Sequence, residues 1–397
     1  MALIRTQVGI IGAGPAGLTL AHLLHLQGIE SFVLERHTRD YVETRVRAGV
    51  LEQGTVDILC GSGVGQRLQR EGLQHKGVEL RFDGRGHRID FQDLVEKSIT
   101  VYAQQEVVKD LIAARIAYNA PILFEAEAIR IQDFEAQPRI RYQHQGTTHE
   151  IACDFIAGCD GFHGICRPAF PADQLSIHER HYPFAWLGIL ARVAPASHEL
   201  IYTYHEHGFS LLSMRSPEIS RLYLQCAPDE DINNWSDDRI WDELRTRMAT
   251  RDGFVLQDGP ILQKGITPMR SFVAEPMRFD KLILLGDAAH IVPPTGAKGL
   301  NLAVADVRVL TRCLVGIYKE NKRNALEQYS ARCLRRVWLA QRFSGWMTSM
   351  LHRFPNEDSF AHQLHLAELD YVTSSRAAST TLAENYVGLP FDTPGLF

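Results

Sequence analysis

The stretch Val8-Gly9-Ile10-Ile11-Gly12-Ala13-Gly14-Pro15-Ala16-Gly17 decides the fold of this chain. Its apolar start predicts a buried parallel strand over 8–11, and an apolar-periodic helix follows over about 16–26. A second strand, predicted over 31–34, ends at Glu35, which stands 18 residues after Gly17. In such a βαβ unit the three spaced glycines allow a tight turn, close approach of the backbone to a pyrophosphate, and close packing of helix on strand. Because Glu35 stands where an acidic side chain accepts ribose hydroxyls, the stretch predicts dinucleotide binding rather than a ligand-free turn.

Two later segments have the features of the same kind of site. The apolar run Leu282–Leu285 leads directly into Gly286–Asn301, which reads GDAAHIVPPTGAKGLN and precedes a helical pattern. A strand that ends in Gly-Asp, followed by a glycine-rich turn and a helix, points backbone N–H groups at an anionic ligand. Asp287 adds an acceptor for ribityl or ribose hydroxyls, and a similar strand ends at Asp160-Gly161. By contrast, the glycine-rich Gly61–Gly65 follows a helical pattern, so we interpret it as a helix end and turn.

The composition is that of an ordinary globular protein and excludes several functions. The chain has 397 residues, of which 45% are hydrophobic and 22% charged, and its net charge is −5. This charge implies no general affinity for nucleic acid or for an anionic membrane. The seven cysteines lack CxxC spacing, which favours a reducing cytoplasm over a disulfide framework. We expect no membrane span, because the sequence has no run of 18 apolar residues, and no metal site, because its histidines lack ligand spacing.

The middle of the chain, from about 183 to 268, changes to a strand pattern. Strands are predicted over 199–205, 209–215 and 221–226, and the turn at 216–220 predicts an antiparallel hairpin. Alternation puts Ser213 and Arg215 on one face of a strand, and Arg221, Tyr223 and Gln225 on one face of the next. An arginine with hydroxyl donors suits a small carboxylate. A solvated sheet face with an incidental arginine fits this pattern equally well.

At this point four strings carry a resemblance to a known family. They are 45–54 (RVRAGVLEQG), 159–164 (CDGFHG), 286–301 and 384–390 (ENYVGLP). With them the chain resembles the single-component flavoprotein aromatic hydroxylases from Gly12 to Leu389. The resemblance implies an α/β fold of mixed α+β type, with a Rossmann-like FAD-binding domain interleaved with an antiparallel β-sheet substrate domain and followed by a helical C-terminal region. It assigns 1–75, 98–182 and 269–320 to the first domain, 76–97 and 183–268 to the second, and 321–397 to the third.

The resemblance also implies roles for individual residues around FAD. Glu35 would hold the adenosine ribose and Asp287 the ribityl chain, while Arg47 and Gln104 would border the pyrophosphate. Leu300 and Asn301 would offer backbone N–H groups to the flavin pyrimidine, where negative charge grows on reduction. Further cofactor contacts are implied at Gly12, Gly14, Gly17, Arg36, Arg45, Asp160 and Gly299.

For the substrate, the resemblance implies a carboxylate clamp formed by Ser213, Arg215 and Tyr223. Tyr202 would bond the phenol oxygen, and Tyr386 would continue a proton relay whose solvent end is His75. The remaining substrate contacts are implied at Pro294, through its backbone carbonyl, and at Thr295. Removal of the phenol proton makes the ring electron-rich, as electrophilic hydroxylation by a flavin C4a-hydroperoxide requires; help of this kind is typically worth about 10²–10⁴-fold.

The reductant has no second GxGxxG element of its own, so it must dock transiently on the surface. The resemblance implies NADPH, with its 2′-phosphate at the basic stretch after Glu35, because phosphate favours arginine clusters. His37 stands where glutamine is expected, which keeps NADH open as the alternative, and Leu222 stands where an aromatic residue is expected. The implied NADPH contacts are Arg36, His37, Tyr41, Arg45, His163, Arg167 and Arg270.

The expected function is hydroxylation of 4-hydroxybenzoate to 3,4-dihydroxybenzoate with NADPH and O2. The same chemistry on another phenolic acid, such as 3,4-dihydroxybenzoate, is the first alternative. From other classes, a NAD(P)-only dehydrogenase or a non-catalytic flavin-binding protein would also carry a dinucleotide site. Trp338, Phe343, Trp346, Met347 and Met350 form an apolar stripe in the helical third of the chain. Core packing explains this stripe, and any exposed remainder would serve the homodimer that the family suggests.

Overall fold

The computed structural model describes residues 4–47, 49–134 and 136–391. Ala48, in the 45–54 string, and residues 1–3 and 392–397, at the ends of two predicted domains, lie outside the described residues.

Nineteen strands and eleven helices form the described part of the chain. The strands are β1 (Ile4–Ile11), β2 (Ser31–Leu34), β3 (Val50–Leu51), β4 (Leu73–His75), β5 (Gly77–Phe82), β6 (Arg85–Asp90), β7 (Ile99–Val101), β8 (Ile122–Leu123), β9 (Ala126–Gln132), β10 (Arg139–His144), β11 (Thr147–Gly158), β12 (Ser176–Ala191), β13 (Leu200–Thr203), β14 (Ser210–Ser216), β15 (Ile219–Cys226), β16 (Ile261–Glu275), β17 (Arg278–Phe279), β18 (Leu282–Leu284) and β19 (His290–Ile291). The helices are α1 (Pro15–Leu26), α2 (Arg39–Thr44), α3 (Gln53–Gly61), α4 (Gln66–Glu71), α5 (Phe91–Val95), α6 (Gln104–Ala117), α7 (Asp237–Met248), α8 (Gly299–Glu320), α9 (Tyr329–Leu351), α10 (Ser359–Ser374) and α11 (Arg376–Val387).

The first sheet has the parallel core that the opening stretch predicts. Its central order is β17-β18-β11-β1-β2-β8, and β1 is parallel to both β2 and β11. β2 has the predicted bounds, β1 begins four residues before the predicted strand, and Pro15 occupies the first turn of α1, where its missing N–H costs nothing. In register, Ile11 pairs with Gly158, and Gly158 pairs with Leu284. The three predicted strand–turn segments therefore end at the same edge of one sheet.

The second sheet is antiparallel apart from one strand pair. Its order is β19-β16-β12-β15-β14-β13-β5-β6, and among the described strands of this sheet only β13 and β5 pair in parallel. β14 and β15 form the predicted hairpin, with Ser213 opposite Arg221. The mixed α/β fold class is therefore confirmed. The predicted boundaries after 182 and 268 fall inside the long strands β12 and β16, and the division into domains stays a prediction.

The helices cover these sheets and complete the core. α3 ends at Gly61, so the glycine-rich segment Gly61–Gly65 forms the expected helix end and turn. Phe343, Met347 and Met350 of the predicted stripe are buried, whereas Trp338 is 42% exposed. Leu222 is fully buried in the apolar cluster of Leu187, Leu212 and Leu244, whereas Tyr223 packs in a different cluster with Tyr202. The departure at Leu222 therefore does not alter the carboxylate clamp.

Candidate active site

A cavity of about 680 Å³ lies at the common edge of the parallel strands. This volume is in the range that small-molecule and cofactor sites occupy. All three predicted segments reach it, together with the basic stretch after Glu35. The predicted cofactor residues that line the cavity are Gly12, Gly14, Glu35, Arg36, Arg45, Arg47, Gln104, Asp160, Asp287, Gly299 and Leu300.

The glycines of the opening turn are required by close backbone approach. Gly12 has a φ of +105°, and a Cβ there would lie 2.3 Å from the carbonyl oxygen of Cys159. A Cβ on Gly17, which does not line the cavity, would lie 2.0 Å from the carbonyl oxygen of Gly12. Gly14 has open space at the Cβ position and precedes α1 without a side-chain cap. The turn therefore leaves the N-terminus of α1 open to an anionic ligand, as pyrophosphate binding requires.

Two carboxylates are fixed at the cavity by backbone N–H groups. Glu35 accepts hydrogen bonds from the N–H groups of Ala13, at 2.8 Å, and His37, at 2.9 Å. Asp160 accepts one from the N–H of Cys166 at 2.9 Å, while its buried Oδ1 has no partner within the described ranges. Burial raises the pKa of Asp160. Both carboxylates thus keep acceptor capacity beside the cavity.

The Gly286–His290 turn is held by an aspartate that the sequence did not single out. Asp306, on α8, accepts a hydrogen bond from the N–H of Gly286 at 3.0 Å and contacts the Nε2 of His290 at 2.7 Å. Burial lowers the pKa of His290, but Asp306 more than offsets this and raises it. Between these anchors, Asp287 is accessible at the cavity wall, although the surrounding protein raises the pKa of its carboxyl. The pair therefore positions Asp287 toward the cavity.

The start of α8 is tied to the 50–52 segment by side chains. Asn301 donates to the carbonyl of Val50 at 3.0 Å and accepts from the N–H of Glu52 at 2.9 Å. Buried Lys298 donates to Glu52 at 2.7 Å and to the carbonyl of Tyr386 at 3.1 Å. The side chain of Asn301 is thus engaged away from the cavity, and its predicted ligand contact through the backbone N–H stays a prediction.

The predicted carboxylate clamp contains a second arginine. Tyr223 is partly buried, and desolvation of its phenol would raise the pKa, but Arg221 and Arg215 together lower it. The Arg221 guanidinium lies 5.1 Å from the centre of the Tyr223 ring. Gly188 pairs with Tyr223 across the sheet, and a Cβ there would lie 2.7 Å from Arg221 Nη2. The alternation of β15 had placed Arg221 on this face, but only the packing reveals that it joins Arg215 at the tyrosine.

The other clamp residues lie close by on β14. Ser213 is buried, and its hydroxyl contacts the carbonyl of Met214 at 3.4 Å. Arg215 stands at a β-bulge, which re-aims a side chain out of the regular strand alternation. Its Nη1 lies 3.3 Å from the carbonyl of Met214, and its buried Nε has no partner in the described part of the chain. A half-buried guanidinium with a buried, unpaired Nε suits an external carboxylate.

Tyr202 and Tyr386 meet as predicted, 184 residues apart in the sequence. Their hydroxyls share a hydrogen bond, and the Tyr202 hydroxyl also donates to the carbonyl of Thr295 at 3.2 Å. Burial raises the pKa of both phenols, for Tyr202 well above its ordinary value. Pro294 lines the cavity next to them, and Thr295 is fixed through its hydroxyl by Thr348 at 2.9 Å.

His75 does not lie at a solvent end. Its side chain is 1% exposed, and neither ring nitrogen has a hydrogen-bond partner among residues 4–47, 49–134 and 136–391. Burial lowers the pKa of His75 to about 4, so the ring is neutral at pH 7. This burial could not be predicted from the local sequence, because it depends on the elements that pack around β4 in the folded chain.

Six of the seven predicted NADPH residues line the cavity mouth. His37 is part of a small cluster there, with Arg36 donating to it at 3.2 Å and the Tyr41 ring, tilted by 32°, centred 4.2 Å away. The Arg270 guanidinium lies 4.2 Å from the centre of the Phe162 ring. Arg167 differs, because it lies behind Phe162 and donates to the carbonyls of Phe162, at 2.6 Å, and Ala288, at 3.1 Å. Its predicted contact with NADPH has no support from this position. The six lining residues are Arg36, His37, Tyr41, Arg45, His163 and Arg270.

Comparison with known proteins identifies the cofactor and the chemistry. Residues 5–344 match the family described as FAD binding domain. The p-hydroxybenzoate hydroxylase of Acinetobacter baylyi is 49% identical over 397 residues, covering 100% of this chain and 98% of that protein. The chain belongs to this FAD-binding family and is a flavoprotein aromatic monooxygenase. The alternatives of a NAD(P)-only dehydrogenase and a non-catalytic flavin-binding protein are thereby set aside.

More distant relatives of this monooxygenase share its fold with other substrates. The 3-amino-4-hydroxybenzoate 2-monooxygenase of Streptomyces cremeus is 25% identical over 338 residues, 78% of each chain. The crystal structure of p-nitrophenol 4-monooxygenase from Pseudomonas putida superposes with a TM-score of 0.84, covering 98% of this chain and 100% of that one. At 17% identity that likeness shows the fold alone.

The residues of the monooxygenase fit FAD. The open helix start after Gly14, the unpartnered oxygen of Asp160 and the accessible carboxylate of Asp287 are what a dinucleotide with a ribityl chain requires. Within the described residues there is no group of three or more His, Cys, Asp or Glu side chains able to hold a metal, and no helix long and apolar enough to cross a membrane.

Proposed function

We propose that this monooxygenase converts 4-hydroxybenzoate, NADPH, a proton and O2 into 3,4-dihydroxybenzoate, NADP⁺ and water. The observation that carries the proposal is a site with two unlike ends on one sheet. Arg215 and Arg221 surround Tyr223 at one end, and Tyr202 bonds Tyr386 at the other. A benzene ring that carries a carboxylate and a hydroxyl para to each other matches these two ends. The 49% identity to a p-hydroxybenzoate hydroxylase supports the same substrate.

The carboxylate end of the site binds the substrate and orients it. Arginine presents parallel N–H donors that match the two oxygens of a carboxylate, and hydrogen bonds to charged groups contribute about 1.5–3 kcal/mol each. Ser213 adds a hydroxyl donor on the same strand as Arg215. With the carboxylate fixed, the ring carbon next to the phenol is held in one place, which removes much of the entropic cost of reaction.

The phenol end moves a proton. Tyr202 and Tyr386 already share a hydrogen bond, so once the Tyr202 hydroxyl turns from the carbonyl of Thr295 toward Tyr386, it can pass its own proton on as it accepts the proton of the phenol. Because burial raises the pKa of both tyrosines, neither stores negative charge, and the charge stays on the substrate ring. Negative charge on the ring is what makes the carbon beside the phenol oxygen reactive toward an electrophilic oxygen. His75 remains the proposed far end of the relay; because burial lowers its pKa, it would pass a proton on rather than hold it.

FAD supplies the redox chemistry when bound: it accepts hydride from the nicotinamide and activates O2. In this proposal Glu35 would hold the adenosine ribose, Asp287 the ribityl chain, and the backbone at the start of α8, near Gly299, would contact the flavin. NADPH docks transiently at the cavity mouth, where His37 and the neighbouring arginines meet its 2′-phosphate, with NADH as the alternative. We also propose a homodimer that uses the exposed side of the C-terminal helices, and a cytoplasmic location, which the seven free thiols suit.

One experiment tests substrate and reaction together. Purified FAD-loaded protein is incubated with NADPH, O2 and a panel that contains 4-hydroxybenzoate, 3,4-dihydroxybenzoate, benzoate and phenol. We expect 3,4-dihydroxybenzoate as the product, identified by mass spectrometry, and stimulation of NADPH oxidation only by ligands that carry both groups. Preferential conversion of 3,4-dihydroxybenzoate, or no hydroxylated product from any phenolic acid, would overturn the proposal.

A further inference from the structure

His352 is a buried aromatic side chain directly behind the substrate site. It follows the last residue of α9 and has no exposed surface. Its imidazole is sandwiched between Phe184, with ring centres 4.6 Å apart and planes at 8°, and Phe209, at 4.3 Å and 21°. A ring held on both faces keeps one orientation, because any rotation would break two stacking contacts.

Two hydrogen bonds fix the tautomer of this imidazole. Nδ1 lies 2.9 Å from the carbonyl of Thr348, which only accepts, so Nδ1 carries the proton and donates it. Nε2 is then an acceptor, and the indole N–H of Trp186 donates to it at 2.7 Å. Burial lowers the pKa of His352 to about 3, so this neutral arrangement persists through the physiological range. No other described hydrogen bond holds the Trp186 indole.

Trp186 and Phe209, here called the aromatic wall, contact both ends of the substrate site. The Trp186 ring lies 4.9 Å from the Tyr223 ring and is stacked on Phe209 at 5.0 Å. Phe209 in turn lies 6.1 Å from the ring of Tyr202. Among the residues that the structure describes, His352 alone both stacks on Phe209 and hydrogen-bonds Trp186, so it joins the two halves of the wall.

We propose that His352 is a positioning residue, which sets the distance between the carboxylate end and the phenol end by holding the aromatic wall against Tyr223 and Tyr202. The inference rests on the proposed function of those two tyrosines. A para-substituted benzoate is rigid and cannot adjust its length. A shift of either tyrosine therefore costs the ligand one of its two end contacts, and small displacements of reacting groups are costly in enzymes.

The decisive quantity is the advantage that the para hydroxyl gives to binding. It is measured as the ratio of dissociation constants for benzoate, which meets one end, and 4-hydroxybenzoate, which meets both. We expect His352→Leu to reduce this ratio about tenfold. Without its acceptor, the buried indole N–H of Trp186 either stays unpaired, at a free-energy cost comparable to that tenfold change, or moves with its ring away from this position. His352→Gln, which keeps an acceptor near the Nε2 position, should preserve the ratio within about threefold.

A matched control separates positioning from general loss of stability. His22 is also buried and hydrogen-bonded through Nε2, to the carbonyl of Ser62 at 3.0 Å, but it lies on α1 under the first sheet. We expect His22→Leu to lower the melting temperature and leave the ratio unchanged. A folded His352→Leu protein with the wild-type ratio overturns the inference. If His352→Leu does not fold, Trp186→Phe, which removes the donor, must lower the ratio while His352→Gln keeps it, and an unchanged ratio in Trp186→Phe overturns the inference instead.

The same titration distinguishes a failure of the proposed function from a failure of the role of His352. A wild-type protein that binds benzoate and 4-hydroxybenzoate equally would sink the proposed function. A wild-type preference that survives in His352→Leu would sink only the role of His352. As a second readout, we expect the amount of product per NADPH oxidised to fall in His352→Leu and to be restored in His352→Gln.

Discussion

Replacing Arg215 by alanine tests the carboxylate end of the site most directly. Arg215 is half-buried, its Nε has no partner in the described residues, and its hydrogen bond to the carbonyl of Met214 is long at 3.3 Å. Apart from its interaction with the phenol of Tyr223, the guanidinium therefore keeps donor capacity for a ligand. Losing one charge-assisted hydrogen bond to the ligand should cost about 1.5–3 kcal/mol, which corresponds to roughly 10- to 160-fold weaker binding. Binding should not vanish, because Arg221 remains beside Tyr223.

The assay is a titration of the FAD-loaded protein with 4-hydroxybenzoate, followed by the change in flavin absorbance. Arg215→Lys should fall between wild type and Arg215→Ala, since lysine keeps the charge but lacks the planar fork of donors. Arg180→Ala is the matched control: Arg180 is exposed on β12 of the same sheet, with its guanidinium 5.2 Å from the Tyr182 ring, and its loss should leave the affinity unchanged.

Two results would refute this reasoning about Arg215. The first is an unchanged dissociation constant for 4-hydroxybenzoate in Arg215→Ala. The second is an equal loss of affinity for phenol, which carries no carboxylate, because that would mean that the substitution disturbs the site as a whole.

Three further predictions concern the relay, the buried histidine and the cofactor turn. Tyr202→Phe should still show substrate-stimulated NADPH oxidation but lose hydroxylation by about 10²–10⁴-fold, measured as product per NADPH; full coupling would contradict a role in proton transfer. His75 binds a proton more weakly in the folded state, with a pKa of about 4 against 6.5 when unfolded. Its contribution to stability is therefore present above pH 6.5 and is lost as the pH falls toward 4, by about 3 kcal/mol in total. The free energy of unfolding of His75→Leu should depend correspondingly less on pH, and parallel curves would contradict the shift. Asp306→Asn should weaken FAD binding more than tenfold, because it removes the charge that pairs with His290 and holds Gly286, whereas Asp154→Asn, remote at Tyr318, should not; FAD release followed by flavin fluorescence decides between them.

Local patterns were sufficient to predict the parallel sheet and its ligand edge. Gly12, Asp160 and Asp287 each follow an apolar strand, and parallel strands bring such ends together. The hairpin could be predicted equally well from the sequence, because the two-residue period of a strand assigns Ser213 and Tyr223 to definite faces. The boundaries of the long strands β12 and β16 were not predicted. The surroundings of these strands change along their length, but the local sequence pattern does not.

What the sequence could not provide are contacts between elements far apart in the chain. In the sequence, Asp306 is an ordinary carboxylate within a helical pattern. Its contact with the Gly286 turn exists only because α8 packs against that turn. His352 has no motif around it, and its role depends on Trp186, 166 residues earlier. The burial of His75 depends likewise on its neighbours in space. Each of these side chains is polar and buried, and burial is a property of the packed molecule rather than of a short window of sequence.

The two ends of the site differ in the charge that they tolerate, and this difference fixes the orientation of the substrate. At the clamp, the two arginines lower the pKa of Tyr223, so the surroundings favour negative charge. At the relay, burial raises the pKa of Tyr202 and Tyr386, so the surroundings disfavour it. A reversed ligand would place its carboxylate beside Tyr202 and Tyr386, where the cation near the rings, Lys298, is already bonded to Glu52, and burying an unpaired carboxylate costs far more than any contact recovered at the other end. In the proposed function the phenol therefore lies at the relay. The same asymmetry disfavours para-dicarboxylates, which would bring a second permanent charge to the end that cannot hold one.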